Sequence, residues 1–466
     1  MNVIDIQPQT YLHDANTYFL RLQVLEKCVW LDSGKPSAHH GRFDILTAAP
    51  REIYSNARAD HIHNAVNTLF QHVDTSHAQK LDLPFYGGAI GYFNYEYNHT
   101  EFALNKQRNN SLERNNSPEQ TDSPEQNNSP ERTDSLTGIF DWCLIQDHHT
   151  QTAYTVFLPS CCNIQKKRII NILNPTSASN TATSSFTVTN LQPSITKRTY
   201  VDAINKIHNY IINGDTYQIN FAQRFKGEFH GSAHAAYTKL RASMPSPFSA
   251  YIDLSNEKIL SFSPERFIHI DQGHAFTQPI KGTIRRSQQA EEDAELALEL
   301  QHSVKNRAEN LMIVDLLRND FNKHCDAHSV TTPKLFHLES FSNVHHLVST
   351  VCGKLKNTQQ ALAFLLNCFP GGSITGAPKK RAMEIIDELE AYPRNIYCGS
   401  IYYLTAHNKL DSNITIRTVS IRDNTCICWG GGGIVADSTA EEEYQESLQK
   451  IQTLLDALSR GTQKTQ

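Results

Sequence analysis

Two runs near the middle of the chain, YVDAINKIHNYIINGD (residues 200–215) and KILSFSPERFIHI (258–270), set the fold class. The first spaces its apolar residues at helical intervals and the second reads as strand. From about residue 197 onward such patterns alternate, which predicts an α/β (α+β) architecture with many strands and not a simple repeat. Toward the N-terminus, WLDSG (30–34), RFDILTA (42–48) and LPFYGGAIGYFNYEY (83–97) read as short strands and turns. FDWCLIQD (140–147) and TAYTVFLP (152–159) alternate like paired strands.

Two polar stretches interrupt this texture. Residues 109–138 form a hexapeptide array, NNSLER, NNSPEQ, TDSPEQ, NNSPER and a decayed TDSLTG. It offers too little apolar surface to offset the entropy of ordering it, so a disordered surface insert is expected at 109–138. The inward-facing aliphatic position of a β-helix is missing from its period. NPTSASNTATSS (174–185) reads as a linker. The expected organisation is an N-terminal region over 1–173 that carries the insert, a linker over 174–190, and a C-terminal region over 191–460.

The 466 residues are 39% hydrophobic and 20% charged, with 43 basic against 48 acidic side chains and a formal charge of −5. Six acids and two bases fall inside 109–138, so −4 of that balance belongs to the insert. With no basic block, nucleic-acid binding is disfavoured. No apolar run approaches a membrane span, and the N-terminus has no signal-peptide pattern. The ten cysteines contain no CxxC pair. Reduced thiols in a cytoplasmic chain are therefore expected, neither a disulfide framework nor a zinc knuckle.

Chemistry concentrates in a few places. Ser438-Thr439-Ala440-Glu441 is a capping-box pattern that predicts a helix from Ser438 through Leu458. On it Glu443, Glu446 and Lys450 share one stripe, beside an apolar face of Tyr444, Leu448, Ile451 and Leu455. A solvated Glu446–Lys450 salt bridge would look the same. Just upstream, Gly430 to Gly433 would weaken an ordinary strand. The run is either a bulged turn or a close backbone approach whose N–H groups can bind a carboxylate.

PGGSITGAPKKRAMEIIDELE (370–390) leads into a helix with Pro378 in its first turn. Ala377 stands where a phosphate loop needs lysine, so nucleotide binding is rejected, while an anion site at the helix N-terminus stays open. Glu309 opens an apolar helical run and is either a partner of Lys305 or Arg307 or a metal ligand; Mg²⁺ commonly takes only one or two carboxylates. The histidine pairs His345-His346 and His61/His63 lack zinc-site spacing. Lys281, in QPIKGT, is either a surface strand-end residue or, if buried, a neutral nucleophile with Glu265 as its partner acid.

Taken in order, GDTYQINFAQRF (214–225), SFSPERF (261–267), PIKGT (279–283), RAENLMIVDLLRND (307–320), VHHLVST (344–350), PGGSITGAPK (370–379), YCGSIYYL (397–404), ITIRT (414–418) and GGGIVADSTAEEEYQE (431–446) resemble the chorismate-utilising enzymes. Within them, the resemblance is to the aminodeoxychorismate synthase branch, and through WLDSG, RFDI and LPFYGGAIGYF it extends into the N-terminal half.

It implies two interleaved subdomains with curved, mainly antiparallel sheets and outer helices, as in anthranilate synthase component I, with the chorismate-binding site between them. It also implies that Glu309 and Glu446 bind Mg²⁺, with Glu443 nearby through water, and that the metal holds the ring carboxylate of chorismate. Arg417, Tyr397, Lys450 and the N–H groups of Gly431, Gly432 and Gly433 would hold the substrate's carboxylates, and Gln218, His346 and Thr375 match other pocket positions. Lys281 discriminates, because the anthranilate synthase relatives carry alanine there. In that reading Lys281 adds at C2 while Glu265, as general acid, protonates the leaving C4 hydroxyl. Ammonia then gives 4-amino-4-deoxychorismate, a step toward 4-aminobenzoate and folate.

No glutaminase cysteine is present in a G-x-C-x-G setting, so a separate glutamine amidotransferase subunit is expected, forming a heterodimer. The resemblance further implies a tryptophan pocket at Ser33, Gly41, Arg42, Phe43, Pro247, Phe248 and Ser249, with Asp32 where the relatives usually have glutamate. Anthranilate synthase component I is the nearest alternative activity.

Overall fold

The computed structural model describes residues 2–38, 41–99, 102, 133–175, 185–341, 344–356 and 360–461. Strand alternation generates its layers, since successive side chains point to opposite faces. In three neighbouring strands Trp30, Leu46, Trp142 and Leu144 face one way and Val29, Ile45, Cys143 and Ile145 the other. The first set packs beneath the helices Asn16–Leu22, Ala233–Ser243 and Ala440–Ser459. The second set meets Ile90, Tyr92, Ile401 and Tyr403 of a second sheet. That sheet's opposite face, with Ala89, Phe93, Tyr402 and Leu404, lies under the helices Val304–His324 and Ala361–Cys368. The result is a helix, sheet, sheet, helix stack with apolar residues on both faces of each sheet.

Among the described residues, one sheet has twelve strands. Its main path runs Phe186–Pro193, Gln218–Gly231, Thr425–Ile434, Thr418–Arg422, Lys258–Ser263, Phe248–Asp253, Val29–Asp32, Phe43–Thr47, Trp142–Asp147, Thr152–Phe157 and Asp5–Gln9, and Gly376–Ala377 pairs onto the second of these. The other has ten among the described residues, nine on a path Ile280–Arg285, Val344–Lys354, His274–Thr277, Arg266–Asp271, Leu410–Asn413, Ser400–Leu404, Gly88–Phe93, Ser135–Phe140 and Glu52–Ser55, with Thr331–Ser340 pairing onto the second of these. Both draw strands from both ends of the chain, and their described ladders are antiparallel. The expected interleaving is therefore present.

The run read as one strand over 258–270 is two, Lys258–Ser263 in the larger sheet and Arg266–Asp271 in the smaller. Pro264 lacks a ladder donor and ends the first, so the chain changes sheets at Pro264-Glu265. It returns between Leu410–Asn413 and Thr418–Arg422. The two crossings are stitched together: Ile414 N–H donates to the Glu265 carbonyl (3.1 Å), Phe262 N–H to the Arg417 carbonyl (3.1 Å), and Ser263 Oγ to the Ile414 carbonyl (2.6 Å).

Three boundaries need correction. Residues 109–132 lie outside the described residues, but the last hexapeptide is not part of a disordered insert: Ser135–Phe140 is a buried strand between Gly88–Phe93 and Glu52–Ser55. The linker expected over 174–190 ends early, because Phe186–Pro193 is an edge strand and Phe186 stacks on Phe229 with ring centroids 5.9 Å apart. The consecutive β-branched Thr187, Val188 and Thr189 favour that pairing. The last helix begins at Ala440, capped by Thr439, whose side chain accepts from Glu442 N–H; Ser438 instead donates to Glu443 Oε1 at 2.5 Å.

Candidate active site

The two crossings bring Glu265 and Arg417 into the space between the sheets. Glu265 is buried, and its Oε1 accepts from Ser373 Oγ at 2.9 Å. Arg417 has φ +51°, in the left-handed region, and its guanidinium has no hydrogen-bond or salt-bridge partner among the described residues. It faces His346, whose pKa is pushed down to about 4 by burial first and then by Arg417, so the imidazole is neutral near pH 7. Thr283 and His346 Nδ1 are 2.8 Å apart across the ladder that joins their strands.

Gly430 to Gly433 are neither a turn nor a bulge. They sit within the strand Thr425–Ile434 and pair with Gln223 to Asn220 on one side, while pairing on the other side ends at Cys428. The open edge leaves main-chain groups facing the site. The reason for glycine is contact distance. A Cβ at 430 would fall 2.5 Å from the Ser447 carbonyl, and one at 431 equally close to that of Phe221. At 432 it would meet Glu443 Oε2 (3.2 Å), Glu446 Oε1 (3.5 Å) and Lys450 Nζ (3.5 Å), and at 433 the Gln218 Nε2 (2.7 Å). Thus the helical stripe read from sequence and Gln218 both close over the glycine run. Trp429, just before it, stacks parallel to Tyr397 at 5.6 Å.

Lys281 occupies an irregular position in its strand, where pairing with Val344–Lys354 slips between Ile280 and Thr283, and Gly282 follows at φ +89°. Its Nζ is 3.4 Å from the Ser373 carbonyl. Burial lowers the ammonium pKa and Lys450 lowers it further, against the attraction of Glu309, Glu265 and Glu446. Burial also raises Glu265 to about 7, with Ser373, Lys281 and the Ile280 N–H opposing. A lysine eased toward its neutral form thus faces a carboxyl that holds its proton well above the usual carboxylate range.

Glu309 forms no ion pair with Lys305 or Arg307 among the described residues; Arg307 lies over the Phe336 ring at 4.7 Å. The expected Glu446–Lys450 pair does form, at 2.5 Å. Burial would raise Glu446, but Lys450, Lys305 and Lys281 hold it below the usual range. Burial raises Glu443, and its Oε2 is buried without a hydrogen-bond partner among the described residues. Both amide atoms of Gln218 are orphaned in the same way. Buried groups of this kind want a ligand. Hard carboxylate oxygens around a point that a Cβ would fill suit Mg²⁺, though among the described residues no three such groups already converge.

Thr375 is buried, with Oγ1 donating to the Gly371 carbonyl, and its own carbonyl takes the Asn220 N–H. The helix after this loop begins at Lys379, not Pro378, and the Lys379 ammonium is buried against Asp320 (2.6 Å) and the Cys368 carbonyl (2.8 Å). That cation occupies the helix start that sequence left open to an anion. Gly41, Arg42, Phe43, Pro247, Phe248 and Ser249 line a separate cavity of about 360 Å³ behind Pro264 and Ile280. Ser33 is buried behind Gly41, and the Asp32 carboxylate is held by Arg241 and Tyr237. Ser373 also belongs to the site, and its only signal in the sequence is its place in PGGSITGAPK beside Thr375.

The chain belongs to the chorismate binding enzyme family, whose profile matches residues 26–456. It is 39% identical over 461 residues to aminodeoxychorismate synthase component 1 of Escherichia coli (strain K12), covering 96% of each chain. It is equally identical, but over only 269 residues, to anthranilate synthase component 1 of Aquifex aeolicus, covering 58% of this chain and 54% of that one. The crystal structure of anthranilate synthase component I from Streptococcus pneumoniae superposes with a TM-score of 0.72 at 28% identity, covering 88% and 92% of the two chains.

Proposed function

We propose that this chain converts chorismate and ammonia to 4-amino-4-deoxychorismate, a step toward 4-aminobenzoate and folate. Full-length similarity to aminodeoxychorismate synthase component 1 supports this activity over that of anthranilate synthase, whose similarity covers about half the chain. The observation that carries the chemistry is the meeting of Lys281 and Glu265 at Ser373. Neutral Lys281 Nζ attacks C2, both ring double bonds shift by one position (C1=C2 to C1=C6 and C5=C6 to C4=C5), and the C4–O bond breaks as Glu265 gives its proton to the departing hydroxyl, releasing water. Ammonia then attacks C4, both double bonds shift back, and the C2–N bond breaks with its electron pair returning to Lys281. The ammonium formed at C4 returns a proton to Glu265, restoring both residues.

Arg417, Tyr397, Lys450 and the Gly431 to Gly433 N–H groups orient the carboxylates, and Gln218, His346 and Thr375 complete the pocket. Glu309 and Glu446, with Glu443, would hold Mg²⁺, which when bound supplies charge neutralisation for the ring carboxylate. The ammonia source is a glutamine amidotransferase subunit in a heterodimer, as the component naming of the relatives suggests. A cytoplasmic location suits this pathway, and among the described residues no helix is long and apolar enough to cross a membrane. The 360 Å³ cavity is assigned as the tryptophan pocket, to be tested by calorimetric titration with tryptophan. The deciding experiment is chromatographic identification of the product from chorismate, ammonia and Mg²⁺. 4-Amino-4-deoxychorismate supports the assignment, and anthranilate as the product overturns it.

A further inference from the structure

The loop 370–378 resembles a phosphate loop in its glycines, yet what those glycines do is bring Ser373 close to two other elements. A Cβ at Gly372 would lie 2.6 Å from Leu316 of the helix Val304–His324, and one at Gly371 3.1 Å from Ile414 of the return crossing. The turn Gly372–Ile374 is then pinned from behind. The buried Arg394 guanidinium donates to the Ile374 carbonyl (2.8 Å) and the Asn220 carbonyl (2.6 Å), and is itself gripped by Glu390 (2.7 Å). Ser373, 8% exposed, directs its hydroxyl to Glu265 Oε1 (2.9 Å) and its carbonyl to Lys281 Nζ (3.4 Å).

We propose that Ser373 is a positioning residue that sets both reacting groups at once: its hydroxyl orients the acid and its carbonyl aims the lysine. This rests on the amination chemistry proposed above. A hydroxyl donating to Oε1 makes that oxygen the acceptor, so the proton carried by Glu265 resides on Oε2, ready for the departing hydroxyl. A carbonyl accepting one N–H of a neutral amine fixes the direction of its lone pair. One rigid turn thereby correlates the nucleophile and the acid. Other groups around Glu265 are the Ile280 N–H and Lys281 of the strand Ile280–Arg285, and Cys398. Lys281 in turn faces Glu309 on one helix and Glu446 and Lys450 on another. His346 faces Arg417 and the Gly282 main chain next to Lys281.

The test compares Ser373→Ala, the isosteric Ser373→Cys and Ser373→Thr, which retains the hydroxyl, using chorismate at saturating free ammonia and Mg²⁺. Loss of an orienting hydrogen bond to an ionisable group should lower kcat about tenfold to a hundredfold in the Ala variant. The chorismate KM should hold within about twofold. The alkaline limb of kcat/KM should move to higher pH, because a donor that favours the carboxylate has been removed. Ser373→Cys should show the same loss with folding intact, and Ser373→Thr should recover most of it. An unchanged kcat and alkaline limb in Ser373→Cys overturns the proposal, as does a loss confined to KM. The wild-type product is identified in parallel: if it is not 4-amino-4-deoxychorismate, the functional reading fails; if it is and Ser373→Cys behaves as wild type, only the role of Ser373 fails.

Discussion

Gly432 stands over Glu443 so closely that a Cβ on the glycine would lie 3.2 Å from Glu443 Oε2. The neighbours it would meet are the ends of flexible side chains, so Gly432→Ala should fold normally. Its apparent Mg²⁺ affinity should fall as the carboxylates are pushed aside. Gly431→Ala would press on the rigid Phe221 carbonyl and should lower the melting temperature instead. Mg²⁺ titration of activity alongside thermal melts separates the two, and equal behaviour of the variants would contradict this division of roles.

Lys281→Ala should lose most 4-amino-4-deoxychorismate formation and yield some anthranilate, because C2 is then open to ammonia. The products are resolved by chromatography. Undiminished amination at C4 would remove the covalent step.

The raised Glu265 carries a stability cost of its own. Its pKa moves from 4.5 to about 7 on folding, mainly through burial. The folded form thus keeps its proton where the unfolded chain has lost it, and stability falls as pH rises from 4.5 to about 7. Glu265→Gln should therefore be more stable than wild type at pH 8, by up to roughly 3 kcal/mol, and no different near pH 4. Urea unfolding at both pH values checks this, and a variant of lower stability at pH 8 would refute it.

Asp411 behaves oppositely. Arg266 and His269 outweigh burial and hold it down to about 2 from 3.8. Its contribution is complete above 3.8 and is lost as pH falls through about 2. Asp411→Asn should cost roughly 2 kcal/mol at pH 6, a deficit that shrinks to nothing only as pH falls below about 2. A deficit that persists in acid would assign the loss to packing.

Much of the site was legible because the chemistry depends on local sequence. The glycine run, the Glu443/Glu446/Lys450 stripe and Lys281 in QPIKGT each carry their signal within a few residues. What sequence hid was produced by chain crossings. KILSFSPERFIHI reads as one strand, and only the sheets reveal that Pro264-Glu265 spans the gap between them. Ser373 gains its role from Glu265 and Lys281, each about a hundred residues away, which no periodicity records. TDSLTG continued the repeat in composition, yet its last four residues join Ile139 and Phe140 in a buried strand, so tertiary pairing overrode composition.

The interleaved sheets also dictate when this chain can fold. Leu31 pairs with Ala250, and Gly91 with Tyr402. During synthesis the early strands therefore emerge long before their partners exist, with open edges and apolar faces on both sides. The nascent N-terminal half cannot close a core of its own and depends on protection from aggregation until nearly the whole chain has been made.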